Sequence, residues 1–337
     1  KGNRFTPICL KKDGKMADFT YCPIAQYGDA MEPVRYDTFS ALMDDFYALR
    51  EQQERVRQRG ADLLRTATTA RDRVRRKLAL QEKEYAAARD REPLRLAGEL
   101  ITANLYRMER GAARLETENF YDPECRPVAI PLDPLLTPQQ NAAKYYKRYT
   151  KAKTAEKYLA EQMALARRDL DYIESVLEEL DRAETEQDFL DIRGELRDAG
   201  FLRRQGKKEQ NRPAKPLEFR TTSGFRVLVG RNNRQNDKLT KSSGPRDIWL
   251  HTQKIHGSHV ILCTEGREAD DDTIVEAAKL AAWFSQAREG ANVPVDYTPV
   301  KNVKKPAGAR PGMVIYSTCR TVNVAPEEGL VKKLQLS

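Results

Sequence analysis

The sequence predicts an α+β protein: a long antiparallel coiled-coil hairpin with a small tip domain, followed by a C-terminal α+β domain. Three observations predict it. Residues 39–91 contain no proline and alternate charged with apolar residues throughout. Leu159, Met163, Ala166, Leu170, Ile173, Leu177 and Leu180 follow a 4-3-4-3-4-3 spacing, the seam of a heptad repeat. After Pro216 the pattern changes to short β-branched and aromatic runs broken by Gly, Asn and Pro, as strands and turns require.

Residues 1–37 read as short strands and turns, too few to fold alone and expected to be the edge of a domain. Thr38 is a suitable N-cap for a first coiled-coil helix over 38–91, with Leu42, Phe46, Leu63, Ala67 and Val74 among its apolar positions and Gly60 as its one interruption. A helix of that length, about 80 Å, needs a partner. The return helix over 151–200, closed by a short helix near 189–197, supplies it. The coil is therefore expected to pair within the chain, with dimerisation as the open alternative. Between the two, 92–150 forms the tip. Pro93 opens a helix over 94–110, and Thr137-Pro138 offers an N-cap and N1 proline for the returning chain. The run 201–215, with Arg203, Arg204, Lys207, Lys208 and Arg212, is a basic linker. In 216–337 strands are expected near 219–222, 225–229, 248–251, 259–263, 293–300 and 313–324. The helix between them starts at Asp270-Asp271-Asp272, whose charges suit its dipole.

The 337 residues carry a net charge of +9, and its location matters more than its size. Residues 201–337 hold 24 Lys+Arg against 14 Asp+Glu, while 1–200 hold 35 against 36. A basic C-terminal domain fits a polyanion, most simply nucleic acid; charge for solubility alone is the bland reading. The longest apolar runs, such as 260–263, fall far short of the about 20 residues a membrane span needs, so no membrane partner is expected. The chain begins at Lys1 without a signal pattern and reads as a stretch of a longer protein. Five cysteines without a C-x-x-C fit a reducing, cytoplasmic setting. There is no G-x-S-x-G, no P-loop and no paired-carboxylate motif, so neither an enzyme acting alone nor a cofactor is expected.

Candidate binding residues cluster in three places. Arg231, Asn232, Asn233, Asn236 and Lys238 follow a strand, and guanidinium and amide groups hydrogen-bond phosphates and base edges; Asn and Asp equally serve turns. By period-two alternation Asp247, Trp249 and His251 share one strand face, which with His259 could stack on bases if exposed, or form core if buried. The three histidines, His251, His256 and His259, match no metal-ligand spacing. Lys301, Lys304 and Lys305 form a further basic cluster. On the tip, Lys144, Tyr145, Lys147, Arg148 and Lys151 interleave cations with tyrosines, either an RNA contact or simple packing under solvated lysines.

Several motifs together resemble the NFACT family. In the C-terminal part they are Val229-Gly230-Arg231-Asn232-Asn233, Asn236-Asp237-Lys238-Leu239-Thr240, Asp247-Ile248-Trp249-Leu250-His251, Gly257-Ser258-His259, Val303-Lys304-Lys305-Pro306 and Thr321-Val322-Asn323-Val324. Upstream they are residues 101–106, Asn119-Phe120-Tyr121-Asp122, Leu132-Asp133-Pro134 and 152–156. The resemblance implies that 216–337 is the family's RNA-binding domain (NFACT-R), that 1–37 is the remnant of its N-terminal domain, and that Ser258 joins the RNA-binding set. It also implies the partners: a large ribosomal subunit, with its rRNA and peptidyl-tRNA, and elongator tRNA, mainly alanyl-tRNA in bacteria. The implied activity is ribosome quality control by template-free C-terminal alanine tailing, with peptide-bond chemistry left to the ribosome. This stretch is expected to bind RNA or ribosomes in part without supporting tailing. Bacterial members also carry the label fibronectin-binding protein A, so a surface adhesin is the rival reading, and a coiled-coil docking scaffold the third.

Overall fold

The structure is a computed structural model that describes residues 5–12, 15–24, 26–202 and 213–336. Most of the expected basic linker, 203–212, lies outside them. Elements follow in chain order: β1 (Ile8–Lys12), β2 (Lys15–Thr20), β3 (Glu32–Arg35), α1 (Phe39–Arg89), α2 (Glu92–Ala103), β4 (Arg114–Glu118), β5 (Pro127–Pro131), α3 (Pro138–Arg182) and α4 (Glu186–Asp198). The C-terminal part contains β6 (Leu217–Arg220), β7 (Arg226–Val229), α5 (Asn233–Ser242), β8 (Ile248–Thr252), β9 (Val260–Cys263), α6 (Asp271–Trp283), β10 (Val293–Pro299), β11 (Val303–Lys304), β12 (Ile315–Tyr316), β13 (Arg320–Val324) and α7 (Glu328–Leu334). This is the α+β class the sequence predicts, with long helices ahead of a C-terminal sheet domain. Two compact units emerge, Thr68–Glu174 and Lys1–Ala67 with Ser175–Ser337.

In the unit Thr68–Glu174, cross-helix ion pairs set the direction of the coil. Arg75 pairs with Glu174 at 2.5 Å, Glu82 with Arg167 at 2.9 Å and Arg91 with Glu156 at 2.5 Å. As one number rises the other falls, so α1 and α3 run antiparallel here. Val74, Gln81 and Ala88 of α1 and Leu159, Met163, Ala166 and Ile173 of α3 are buried, as the heptad spacing requires. At the tip, α2 and the first turns of α3 pack on the β4–β5 hairpin through Leu100, Ile101, Leu115, Ile130 and Tyr145. Helix α2 is shorter than expected. It stops at Ala103, and Asn104 turns inward to donate from its amide to Leu100 O at 2.7 Å.

The other unit begins with an antiparallel sheet of order β2-β1-β3. Strand β3 holds Pro33, which an edge strand tolerates because its N–H is not needed. Phe19 meets Phe46 of α1 edge-on at 5.1 Å. Gly60 has a structural reason: a Cβ there would stand 2.9 Å from the Phe189 ring, so the glycine lets α4 close on α1. A capping box, Thr185 with Asp188, starts α4.

The C-terminal sheet is antiparallel throughout, in the order β13-β10-β8-β9-β7-β6. Both faces are covered. Val227, Val229, Leu250, Val260, Leu262 and Val295 face α6 and α7, while Trp249 and Ile261 face Leu239 of α5 and Val300. Double coverage explains why β7 and β9 are nearly continuous apolar runs. Among the described residues no helix is long and apolar enough to cross a membrane.

Candidate nucleic-acid interface

The amide-rich run after β7 is a helix start, not an open loop. Asn232 caps α5, its Oδ1 accepting from Gln235 N at 2.9 Å. Asn236 Oδ1 accepts from His259 N at 3.1 Å. Ser258 Oγ donates to Gly230 O at 2.6 Å and accepts from Arg182 Nη1 at 2.6 Å. Asn233 Nδ2 donates to Ser175 Oγ at 2.9 Å and to Glu195 at 3.2 Å. Arg231 Nη1 lies 3.0 Å from both carboxylate oxygens of Asp188. Asp247 accepts from Gly244 N at 2.8 Å and Thr264 N at 2.9 Å. These side chains spend their hydrogen bonds on the protein itself.

The aromatic face is likewise internal. Trp249 stacks on His251 with ring centroids 5.6 Å apart and planes at 11°, so the period-two pairing of these residues holds. Yet Trp249 is 0% exposed and His259 2% exposed, and Tyr316 closes over the indole. An exposed stacking platform at Trp249 and His259 is therefore corrected: β8 is an inner strand, and α5 with the segment after β10 covers that side. Burial pushes the His251 imidazole down to about 4 and that of His259 to about 3, so both are neutral near pH 7. Thr240 Oγ1 lies 2.8 Å from His259 Nδ1. No group of three or more His, Cys, Asp or Glu among the described residues is arranged to hold a metal ion.

Exposed cations remain outside this buried clamp. Lys238 and Lys241 stand on the outer side of α5. The Lys301 N–H donates to Pro245 O at 3.3 Å, which sets Lys301 beside Arg246. Lys305 pairs with Asp237 of α5, and Gly312 N donates to the same carboxylate at 3.1 Å. These ties bring α5 and 301–305 to one side of the domain. There Lys238, Lys241, Arg246, Lys301 and Lys304 are exposed and make no ion pair among the described residues. Sequence reasoning named Lys238, Lys301, Lys304 and Lys305 but missed Lys241 and Arg246. Recognising α5 as a helix would have found Lys241 one turn beyond Lys238.

The tip, in its own unit, divides its candidates. Lys144, Lys147, Arg148 and Lys151 are exposed at i, i+3, i+4 and i+7 of α3, one helical face. Tyr145 is instead buried, its hydroxyl donating to Pro131 O at 2.7 Å. Lys144 pairs with Asp133 at 2.8 Å, and Arg148 lies over the Tyr145 ring at 5.7 Å.

Residues 1–215 match the family model described as NFACT N-terminal and middle domains, and 215–317 match the NFACT protein RNA binding domain. The Rqc2 homolog RqcH of Bacillus subtilis is 39% identical over 343 residues, covering 100% of this chain and 59% of that protein. The protein of the same description from Streptococcus pneumoniae is 34% identical over 337 residues, covering 99% of this chain and 59% of its own length. The chain thus spans well under two thirds of these relatives. A solved structure, the C-terminal of the fibronectin/fibrinogen-binding protein from Streptococcus suis, is similar with a TM-score of 0.66 at 32% identity. It covers 84% of this chain and 100% of its own.

Proposed function

The chain belongs to the NFACT family, and from that premise we propose that it is the coiled-coil and RNA-binding portion of a ribosome quality-control factor. In this reading 1–37 belongs to the N-terminal domain, 38–91 and 151–200 to the coiled coil, 92–150 to the tip and 216–337 to the RNA-binding domain. The observation that carries the reading is the exposed cationic patch of Lys238, Lys241, Arg246, Lys301 and Lys304, whose charges no carboxylate among the described residues pairs. Such a surface tracks phosphates through Coulombic attraction and counterion release, without reading sequence. Lys147, Arg148 and Lys151 on the tip are a second proposed ribosomal contact. The partners are a large ribosomal subunit and tRNA, and the reaction served is template-free alanine tailing with alanyl-tRNA, chemistry that the ribosome performs.

The test is co-sedimentation with purified large ribosomal subunits, with and without peptidyl-tRNA, across a salt series. Binding should weaken linearly in log salt, and the Lys238→Ala/Lys301→Ala/Lys304→Ala variant should bind more weakly with a flatter slope. Equal binding by this variant at every salt would sink the patch as the contact. The name of the Streptococcus suis protein, a fibronectin/fibrinogen-binding protein, favours a second reading, fibronectin binding. Capture on immobilised fibronectin that survives nuclease treatment and ignores the lysine substitutions would support it.

A further inference from the structure

The cationic stripe of α5 does not end where its unpaired part ends. Arg234, Lys238 and Lys241 lie at i, i+4 and i+7, so they share one helical face. Lys238 and Lys241 make no ion pair among the described residues, but Arg234 is engaged by α4. Its Nη2 donates to Gly194 O at 3.1 Å and pairs with the Asp198 carboxylate. Arg310 meets the same end of α4: its Nη1 donates to Ala199 O at 3.0 Å, and its guanidinium lies 5.4 Å from the centre of the Phe201 ring.

Helix α4 offers these arginines the chemistry a phosphodiester would offer. The C-terminal end of a helix carries partial negative charge; Ala199 O, past the last turn, has no intrahelical donor, and Gly194 O, one turn earlier, takes the Arg234 guanidinium beside the helix's own bond. Asp198 adds a full charge at the same end. Three oxygen sources, Gly194 O, Ala199 O and Asp198, therefore meet two guanidiniums, whose planar forks suit phosphate equally well. The Arg234 and Asp198 side chains are 42% and 44% exposed, so water already reaches the pair and it is weak. The Arg231–Asp188 pair deeper along α4, with Asp188 buried, stays as a structural anchor.

We infer that the RNA surface of the C-terminal domain continues to the C-terminal end of α4. Arg234 and Arg310 are phosphate-binding residues there, and Asp198 with the Gly194 and Ala199 carbonyls is an internal phosphate mimic that RNA displaces. The inference rests on the RNA-binding reading above. It makes α4 a competitor that lowers the affinity of a surface otherwise larger than its unpaired part.

The experiment measures binding of the full chain to a fluorescein-labelled, mixed-sequence single-stranded RNA by anisotropy across a salt series. Asp198→Asn removes the mimic's charge at a helix C-terminus, where losing a carboxylate favours the helix, so the fold is kept; thermal unfolding checks this. Its affinity should rise about three- to tenfold, and its salt slope should steepen by about 0.7, one added single-strand phosphate. Asp198→Glu should stay near wild type. In an Arg234→Ala background the gain from Asp198→Asn should vanish. A gain that persists there is generic charge removal and overturns the inference, as does no gain at all. Wild type failing to bind RNA at any salt overturns the RNA reading itself, and this inference with it.

Discussion

At Gly230 a hydrogen atom stands where any other residue would place a Cβ 2.0 Å from Asn236 Oδ1, the atom that accepts the His259 N–H. Gly230→Ala should therefore push Asn236 off that bond and destabilise the C-terminal domain by about 1–3 kcal/mol, seen as a lower unfolding temperature. An unchanged transition would mean the backbone yields. The buried imidazoles make a second prediction at this scale. His251 and His259 titrate at about 4 and about 3 when folded, against about 6.5 when unfolded. The unfolded chain then binds more protons over that window, so their contribution is full above about pH 6.5 and is lost as pH falls towards 4 and 3. Glu179 acts oppositely: burial and the nearby Glu195 charge raise its carboxyl, and its contribution is lost as pH rises through that raised value. His259→Gln should shrink the drop in urea midpoint between about pH 7 and about pH 5; an undiminished drop would move the effect elsewhere. Asn232, Asn236, Trp249 and His259 were legible as special residues, but their inward direction was not. An amide serves a phosphate or a backbone N–H with the same atoms, and only the covering elements decide which.

The coiled coil and α5 mark the two extremes of legibility among the elements. Over 39–89 and 138–182 the unbroken helical pattern is long enough that local propensity and heptad spacing agree, and α1 and α3 follow it closely. In α5 only Leu239 points to core among four polar residues that are buried or cap the helix, so no apolar stripe announces it. It forms because Asn232 caps it and the His259 N–H, just ahead of β9, satisfies Asn236. Within the coil, Gln81 is 8% exposed and its Oε1 has no hydrogen-bond partner among the described residues. Gln81→Leu, at a seam position between Val74 and Ala88, should stabilise the helix pair by about 1 kcal/mol. Hydrogen-exchange protection of α1 and α3 amides would report it, and a loss of protection would assign Gln81 a register role instead.

For the molecule as a whole, charge is the quantity that leads to function. The acidic and basic residues of 1–200 nearly cancel, and the excess sits in 201–337. Neutralising Lys238, Lys301 and Lys304 together should flatten the salt dependence of ribosome binding by about two to three in slope, close to additively, as three separate phosphate contacts predict. A change in affinity without a change in slope would indicate docking through apolar contact instead. Sequence alone carried the α+β class, the heptad coil, the basic C-terminal domain and the family resemblance, because periodicity, composition and motif order are one-dimensional properties. Tertiary structure decided which polar residues are free. Arg231 and Asn233 turned to α4 and α3, Trp249 vanished under α5, and Lys241 and Arg246 came out beside Lys301. Burial of a side chain depends on what packs over it, and the covering element can lie anywhere along the chain.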